Sequence, residues 1–363
     1  MKTTASASVR LVKTAHVHHC AQPPRRPREF SKDVSAGRAH SILTVGSRWV
    51  VGTVITYYCY QAGDTAPSAW HGNAIDRKEV DAAFQKWFSL GIGISFRAVS
   101  SANEAMVRIG FDQADGSWSN VGRDILTVRD PAEPTMNFGW PLNSPYGQDT
   151  ALHEIGHTLG LEHEHQNPFA GILWNEPAVR AAFRKGPNFW NDDQINHNIL
   201  DKIPANSVKG TNWDPDSVME YQFEAGLIQL PKPYDKGLKP KGSLSPLDKA
   251  WVRESYPVPA AQVSSLNVAL SQKLDIGIGE TRLFEFKPQR TRTYKIGTFG
   301  DSDTVLVLFE VTPAGNVQIA GDDDTGENRN ALISMRLRLE RTYQVGVRLY
   351  HADSASETSL MVW

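Results

Sequence analysis

The chain has 363 residues, 40% hydrophobic and 21% charged, the make-up of a soluble globular protein long enough for two ordinary domains. Lys and Arg total 38 against 40 Asp and Glu, a net charge of −2, which leaves no electrostatic footprint for nucleic acid or an anionic membrane. The longest apolar stretch, Trp49 to Tyr60, is too short to span a bilayer, and the N-terminal segment shows no continuous apolar region of a secretory signal. Two cysteines, Cys20 and Cys59, allow at most one disulfide and leave the redox compartment undecided.

Residues 1–45 are polar and interrupted by Pro23, Pro24 and Pro27 among arginines, the composition of a flexible leader or pro-segment. WVVGTVITYYCY, rich in β-branched and aromatic residues, reads as a buried strand pair. IDRKEVDAAFQKWFSLG then sets Ile75, Val80, Phe84 and Phe88 at helical spacing. GISFRAV and AMVRIGFD follow as strands, and TMNFGW (Thr135 to Trp140) as a short further one. Helices are expected over NEPAVRAAFRKG and NDDQINHNILDKI, ahead of DPDSVMEYQF and SPLDKAWVRESYP. From Pro257–Val258–Pro259 the pattern changes to short alternating runs (TRLFEFKP, TVLVLFEV, YQVGVRLY) between Gly, Asp and Asn turns, as in an all-β sandwich. The expected class is α+β: a twisted mixed sheet with helices over residues 46–258, followed by a small β-sandwich over 262–363.

Residues 151–166, ALHEIGHTLGLEHEHQ, crowd imidazoles and carboxylates into an otherwise apolar segment. His153 and His157 are four apart, so on a helix they stand one turn apart on one face, and two neutral nitrogens converge on one point. Glu154 projects to the flank, beside a metal rather than onto it. Gly160 takes positive φ at no steric cost, so the helix can end there and the chain can turn His163 back as a third ligand. Three protein ligands leave tetrahedral zinc an open position for water, the hallmark of a catalytic rather than a structural site. Glu154 is then the general base, and the expected reaction is metal-assisted hydrolysis of a peptide bond. A Cys20 thiolate from HVHHCAQP offers a group that could fill the open position and inhibit. The rival from another class is a non-catalytic adhesion protein, its sandwich binding a matrix and its zinc fold a scaffold. Retention of Glu154 weighs against it.

Four segments resemble the astacin-like branch of the metzincin zinc endopeptidases: HEIGHTLGLEHEH, GSWSNVGRD (Gly116 to Asp124), DSVMEY and LSPLDKAWVRESYP, in family order across about residues 47–257. The resemblance implies a protein or peptide substrate, one catalytic zinc ion and an extracellular enzyme. It makes Met219 the structural Met-turn beneath the metal and Tyr221 a switch tyrosine that assists catalysis, and it sets TMNFGW as the sheet's edge strand above the cleft, open to pairing with an extended substrate. FSKDV (Phe30 to Val34) resembles the family's inhibitory FxGD, which makes Asp33 a second possible inhibitory ligand. The chain departs from the family in carrying Glu220 where a histidine is usual, QNPFAG after the zinc motif, and Cys59 as the lone cysteine between residues 47 and 257. The last hundred residues resemble the bacterial pre-peptidase C-terminal domain. Their acidic turn Asp322–Asp323–Asp324 offers carboxylates to calcium. His197, His351 and the leader histidines read as ordinary surface residues.

Overall fold

The half of the chain that carries the histidines is built on one sheet and two helices. The computed structural model describes residues 18–24, 48–203, 205, 213–258, 263–277, 280–313, 315–323, 325–327, 330–350 and 356–363. Strands β1 (Val54–Cys59), β2 (Ser95–Ala98), β3 (Val107–Gly110), β4 (Trp118–Ser119) and β5 (Met136–Asn137) lie in the order β2-β1-β3-β5-β4. The pairings are parallel except β4 against β5, which is antiparallel. Two expectations are corrected here. The strand pair expected over WVVGTVITYYCY is one strand, because Gly52 at φ 93° turns the chain ahead of β1 while Trp49, Val50 and Val51 stay buried. TMNFGW is not the edge strand. β5 lies between β3 and β4, so the edge belongs to Trp118–Ser119.

Helix α1 (Ala74–Phe88) starts where the Asn73 side chain accepts from the amides of Ile75 and Asp76. Its buried face is Val80, Ala83, Phe84 and Trp87. Ile75 and Phe88, expected on that face, are 57% and 46% exposed, since they sit at the two ends of the helix beyond the sheet. Helix α2 (Pro145–Thr158) is capped by Ser144, with Pro145 at its first turn. α2 contributes Ala151, Leu152, Ile155 and Leu159 to a core shared with Trp87, Ile55 and Met136. Burying each large side chain there stabilises the fold by about 1.5–3 kcal/mol. The Trp87 indole also donates to Leu152 O (3.1 Å) and ties the two helices together.

A second, aromatic-rich core is formed with α3 (Glu176–Phe183) and the two-stranded pair β6 (Leu173–Trp174) and β7 (Ile228–Leu230). NDDQINHNILDKI is only partly α-helical: Asp192–Ile195 is, and Asn196–Leu200 widens into a π turn. Helix α4 (Pro246–Ser255) opens with a Ser245–Asp248 capping box. Among the described residues no helix is long and apolar enough to cross a membrane.

The C-terminal residues form two sheets facing each other. One orders β13 (Gly315–Asp322), β12 (Thr304–Thr312), β15 (Tyr343–Leu349), β10 (Thr281–Phe286) and β8 (Ser264–Ser265). The other orders β14 (Leu332–Leu337), β11 (Arg292–Phe299), β16 (Ser356–Val362) and β9 (Gln272–Ile276). Alternating inward residues such as Phe284, Phe286, Ile296, Leu306, Val345 and Leu360 fill the space between them. The acidic turn does not gather a cation site among its described residues. Asp322 is committed to the amides of Thr325 and Leu332, and Asp324 lies outside the described residues.

Candidate active site

Helix α2 carries His153, Glu154 and His157 on its last turns and stops at Leu159. Gly160, at φ 90°, reverses the chain, and His163 returns over the helix end. The end is held from outside: Trp49 Nε1 donates to Thr158 O (2.7 Å) and Tyr256 Oη to Leu159 O (2.6 Å).

The three imidazoles are buried, and the proton on each can be assigned from the hydrogen-bond network. His153 Nδ1 lies 2.8 Å from Val218 O, and His157 Nδ1 lies 2.8 Å from Leu161 O; carbonyls only accept, so both Nδ1 atoms carry the proton. The Gln166 amide nitrogen donates to His197 O (2.7 Å) and Asp201 O (2.9 Å), so its oxygen is left to accept from His163 Nδ1 at 3.3 Å. All three Nε2 atoms are therefore unprotonated. Yet His157 Nε2 and His163 Nε2 sit 3.1 Å apart, and His153 Nε2 is buried without a hydrogen-bond partner. Burial, then the neighbouring rings, hold His153 and His163 well below the usual histidine range, so they stay neutral. Converging bare lone pairs in a dry site repel unless a cation lies between them. The donor set thus fits zinc, with each ring oriented through its other nitrogen as metal-ligating histidines are.

Two more groups reach the same point. Cys20 Sγ lies 3.7 Å from His157 Nε2 and 3.5 Å from Glu154 Oε2, and the ligand atoms of Cys20, His153, His157 and His163 all fall within 4.8 Å of one another. Burial, and next the Glu154 charge, push the Cys20 thiol well above its ordinary value, so only a nearby cation would make it a thiolate. Tyr221 Oη donates to Cys20 O (2.6 Å) and turns a lone pair toward His163 Nε2 at 2.9 Å. Glu154 is fully buried, its Oε1 has no hydrogen-bond partner, and burial pushes its carboxyl up to about 8.

Met219 lies against Gly156 of α2, where a Cβ would come within 2.4 Å of its sulfur. The turn around it is pinned by Asp248 at the start of α4, whose oxygens accept from Ser217 Oγ (2.6 Å), Val218 N (2.9 Å) and Ser245 N (2.8 Å). Because Val218 O in turn orients His153, the SPLD segment reaches the site through one residue. Glu164 accepts from Asp214 N at 3.0 Å, and its amide donates to Met219 O. Glu220 accepts from Trp213 Nε1 (2.7 Å) and lies 3.5 Å from His165 Nδ1, both side chains fully buried.

Sequence reasoning passed over Gln166 and the His165–Glu220 pair. Gln166 sits three residues after His163 on a short 3-10 turn, a spacing that was there to be read. The pair is distant in sequence and carries no such signal. The leader also differs from expectation: residues 18–24 lie in the cleft, where Ala21 N donates to Ser117 O (2.8 Å), just ahead of the edge strand. His19 is half-buried and packed among rings. Asp33 and His351 lie outside the described residues. Cys20 and Cys59 are free thiols.

A zinc-dependent peptidase is the class to which this half of the chain belongs, for a neutral three-histidine set beside a buried carboxylate and an antiparallel edge strand serves metal-assisted hydrolysis of an extended chain. Residues 65–176 match the Astacin family of peptidases. The structure of myroilysin is similar over 60% of this chain and 98% of its own, at 28% identity and a TM-score of 0.52. High choriolytic enzyme 1 of the medaka fish Oryzias latipes, a hatching enzyme and zinc protease, aligns over 58% of this chain and 94% of its own, at 15% identity and a TM-score of 0.36. The pre-peptidase C-terminal domain of collagenase from Bacillus anthracis aligns over 29% of this chain and 98% of its own, at 15% identity and a TM-score of 0.25. Among curated proteins nothing matches. Residues 65–176 thus carry an astacin-like zinc metalloendopeptidase domain, and an all-β region follows it.

Proposed function

We propose that the chain cleaves internal peptide bonds of protein substrates with zinc held by His153, His157 and His163, and that its own leader keeps the site shut through Cys20. The observation that carries this reading is the convergence of three unprotonated Nε2 atoms whose Nδ1 protons are all engaged elsewhere. Zinc, when bound, supplies Lewis acidity, which makes water nucleophilic at neutral pH and polarises a carbonyl. Glu154 takes up a proton at its carboxylate and returns it to the leaving amine. Tyr221 Oη, released from Cys20 O when the leader leaves, donates to the oxygen on which charge develops. Met219 shapes the floor and takes no part in proton transfer. Before activation Cys20 Sγ occupies the position that a substrate would need, and Ala21 occupies its place at the edge strand. The C-terminal sandwich serves as an accessory of an exported enzyme, as its resemblance to pre-peptidase C-terminal domains suggests.

Metal analysis paired with casein digestion tests the reading. One zinc per chain is expected in both the wild type and Glu154→Gln, with digestion only by the wild type after activation and none in the presence of a chelator. Equal digestion by the Gln variant would remove Glu154 from the mechanism; absence of metal would remove the peptidase.

A further inference from the structure

The residue beside Cys20 occupies a compartment of its own. The His19 ring lies 4.8 Å from Phe183, 5.1 Å from Tyr221, 6.1 Å from Phe223, where the planes are nearly parallel, and 6.5 Å from Trp190. Its two nitrogens are both read. Nε2 lies 2.8 Å from Gln222 O and must be the donor there, so Nδ1 is left to accept from the Asn188 side-chain amide at 3.2 Å. The oxygen of the same amide accepts from His19 N at 3.1 Å, so Asn188 grips ring and backbone together.

We infer that this compartment is the enzyme's main specificity pocket, and that it selects substrates carrying a flat ring, histidine above all, at one of the two positions flanking the cleaved bond. The inference rests on the peptidase reading. A substrate must bring its scissile peptide to the point that Cys20 holds, against the same edge strand, and its neighbouring side chain then meets the same opening. Four aromatic walls favour a planar occupant, each well-placed ring pair adding to simple burial. Gln222 O asks that occupant for an N–H or O–H, and Asn188, its oxygen taken by the backbone amide, answers with a donor. None of the six lining residues is cationic, so a carboxylate would lose water there without a partner. A small aliphatic side chain would leave Gln222 O unpaired and the walls out of contact. The leader, in this view, holds the site shut by imitating the side chain that the enzyme prefers.

The test uses the full chain carrying Cys20→Ala, loaded with zinc, and a set of fluorogenic peptides that differ at one flanking position at a time: His, Tyr, Phe, Leu, Ala or Asp. At one of the two positions kcat/KM is expected to run His first, Tyr and Phe next, and Ala and Asp last, with His ahead of Ala by roughly ten- to hundredfold. Asn188→Ala is expected to shrink the His-to-Phe ratio toward one, which a merely structural residue would not do. Turnover of all peptides with no ring preference at either position, or a preference for Leu or Asp, overturns the inference and leaves the peptidase intact. Turnover of none overturns both.

Discussion

Replacing Cys20 by alanine in the full chain asks what holds the leader in the cleft. Seven hydrogen bonds, the weak thiol contact aside, dock residues 18–24: Tyr146 to His18 O, His19 N to Asn188, the Asn188 amide to His19 Nδ1, His19 Nε2 to Gln222 O, Tyr221 to Cys20 O, Ala21 N to Ser117 O and Gln22 to Glu162. At about 0.5–1.5 kcal/mol each they contribute about 4–10 kcal/mol. Ordering the backbone of seven residues costs about 7–14 kcal/mol. Burial of Cys20 and the His19 ring recovers a few kcal/mol, which brings docking close to balance without any bond to metal. A thiolate on zinc then decides the state of the site. Structural zinc sites with four ligands bind with about 10–16 kcal/mol, so one ligand is worth roughly 3–4 kcal/mol, or about two to three orders of magnitude in the closed-to-open ratio. Cys20→Ala should therefore raise the cleavage rate of a fluorogenic peptide by about 10²-fold at unchanged zinc content, and a mercurial should do the same to the wild type. A zinc-loaded Cys20→Ala chain as slow as the wild type would refute the reasoning and place the block in the hydrogen bonds or elsewhere.

Tyr221→Phe, made in the Cys20→Ala chain, should lower kcat by about 10–10³-fold with little change in KM, because the phenol acts on charge that appears only in the transition state. A pure KM effect would contradict that role. Asp248→Ala leaves three donors around the Met-turn without their acceptor and should cost about 3–5 kcal/mol, seen as a lowered Tm together with weaker zinc retention. Asp248→Asn gives a pH test. Burial, the largest cause, raises the Asp248 carboxyl above the usual aspartate value, so the folded chain holds that proton more tightly than the unfolded one. The stability it brings is present below the ordinary aspartate pKa and is lost as pH rises through the raised one. The deficit in Tm of Asp248→Asn against wild type should accordingly shrink as pH rises above about 4; a deficit that grows with pH would reverse the sign. Gln166→Leu removes the acceptor that fixes the His163 tautomer and should weaken zinc binding by about 10–100-fold in a chelator competition.

The sequence by itself determined what depends on short spacing. HExxHxxGxxH names the three histidines, the glutamate and the glycine turn because a helix repeats every four residues on one face and glycine alone turns freely at positive φ. Alternating runs after residue 260 announced the sandwich for a similar local reason, the two-residue period of a strand. What brings residue 20 to residue 157, residue 248 to residue 218 and residue 220 to residue 165 is the packing of distant segments, and no local period encodes it. The same holds for which strand forms the edge. The resemblance set TMNFGW at the edge, yet the short antiparallel β4 covers it, since strand order is settled by how the whole sheet closes over α1 and α2. His19 makes the point most sharply. In the sequence it is one polar residue in a polar leader, and only the aromatic core assembled from residues 183 to 223 gives its ring a place to go.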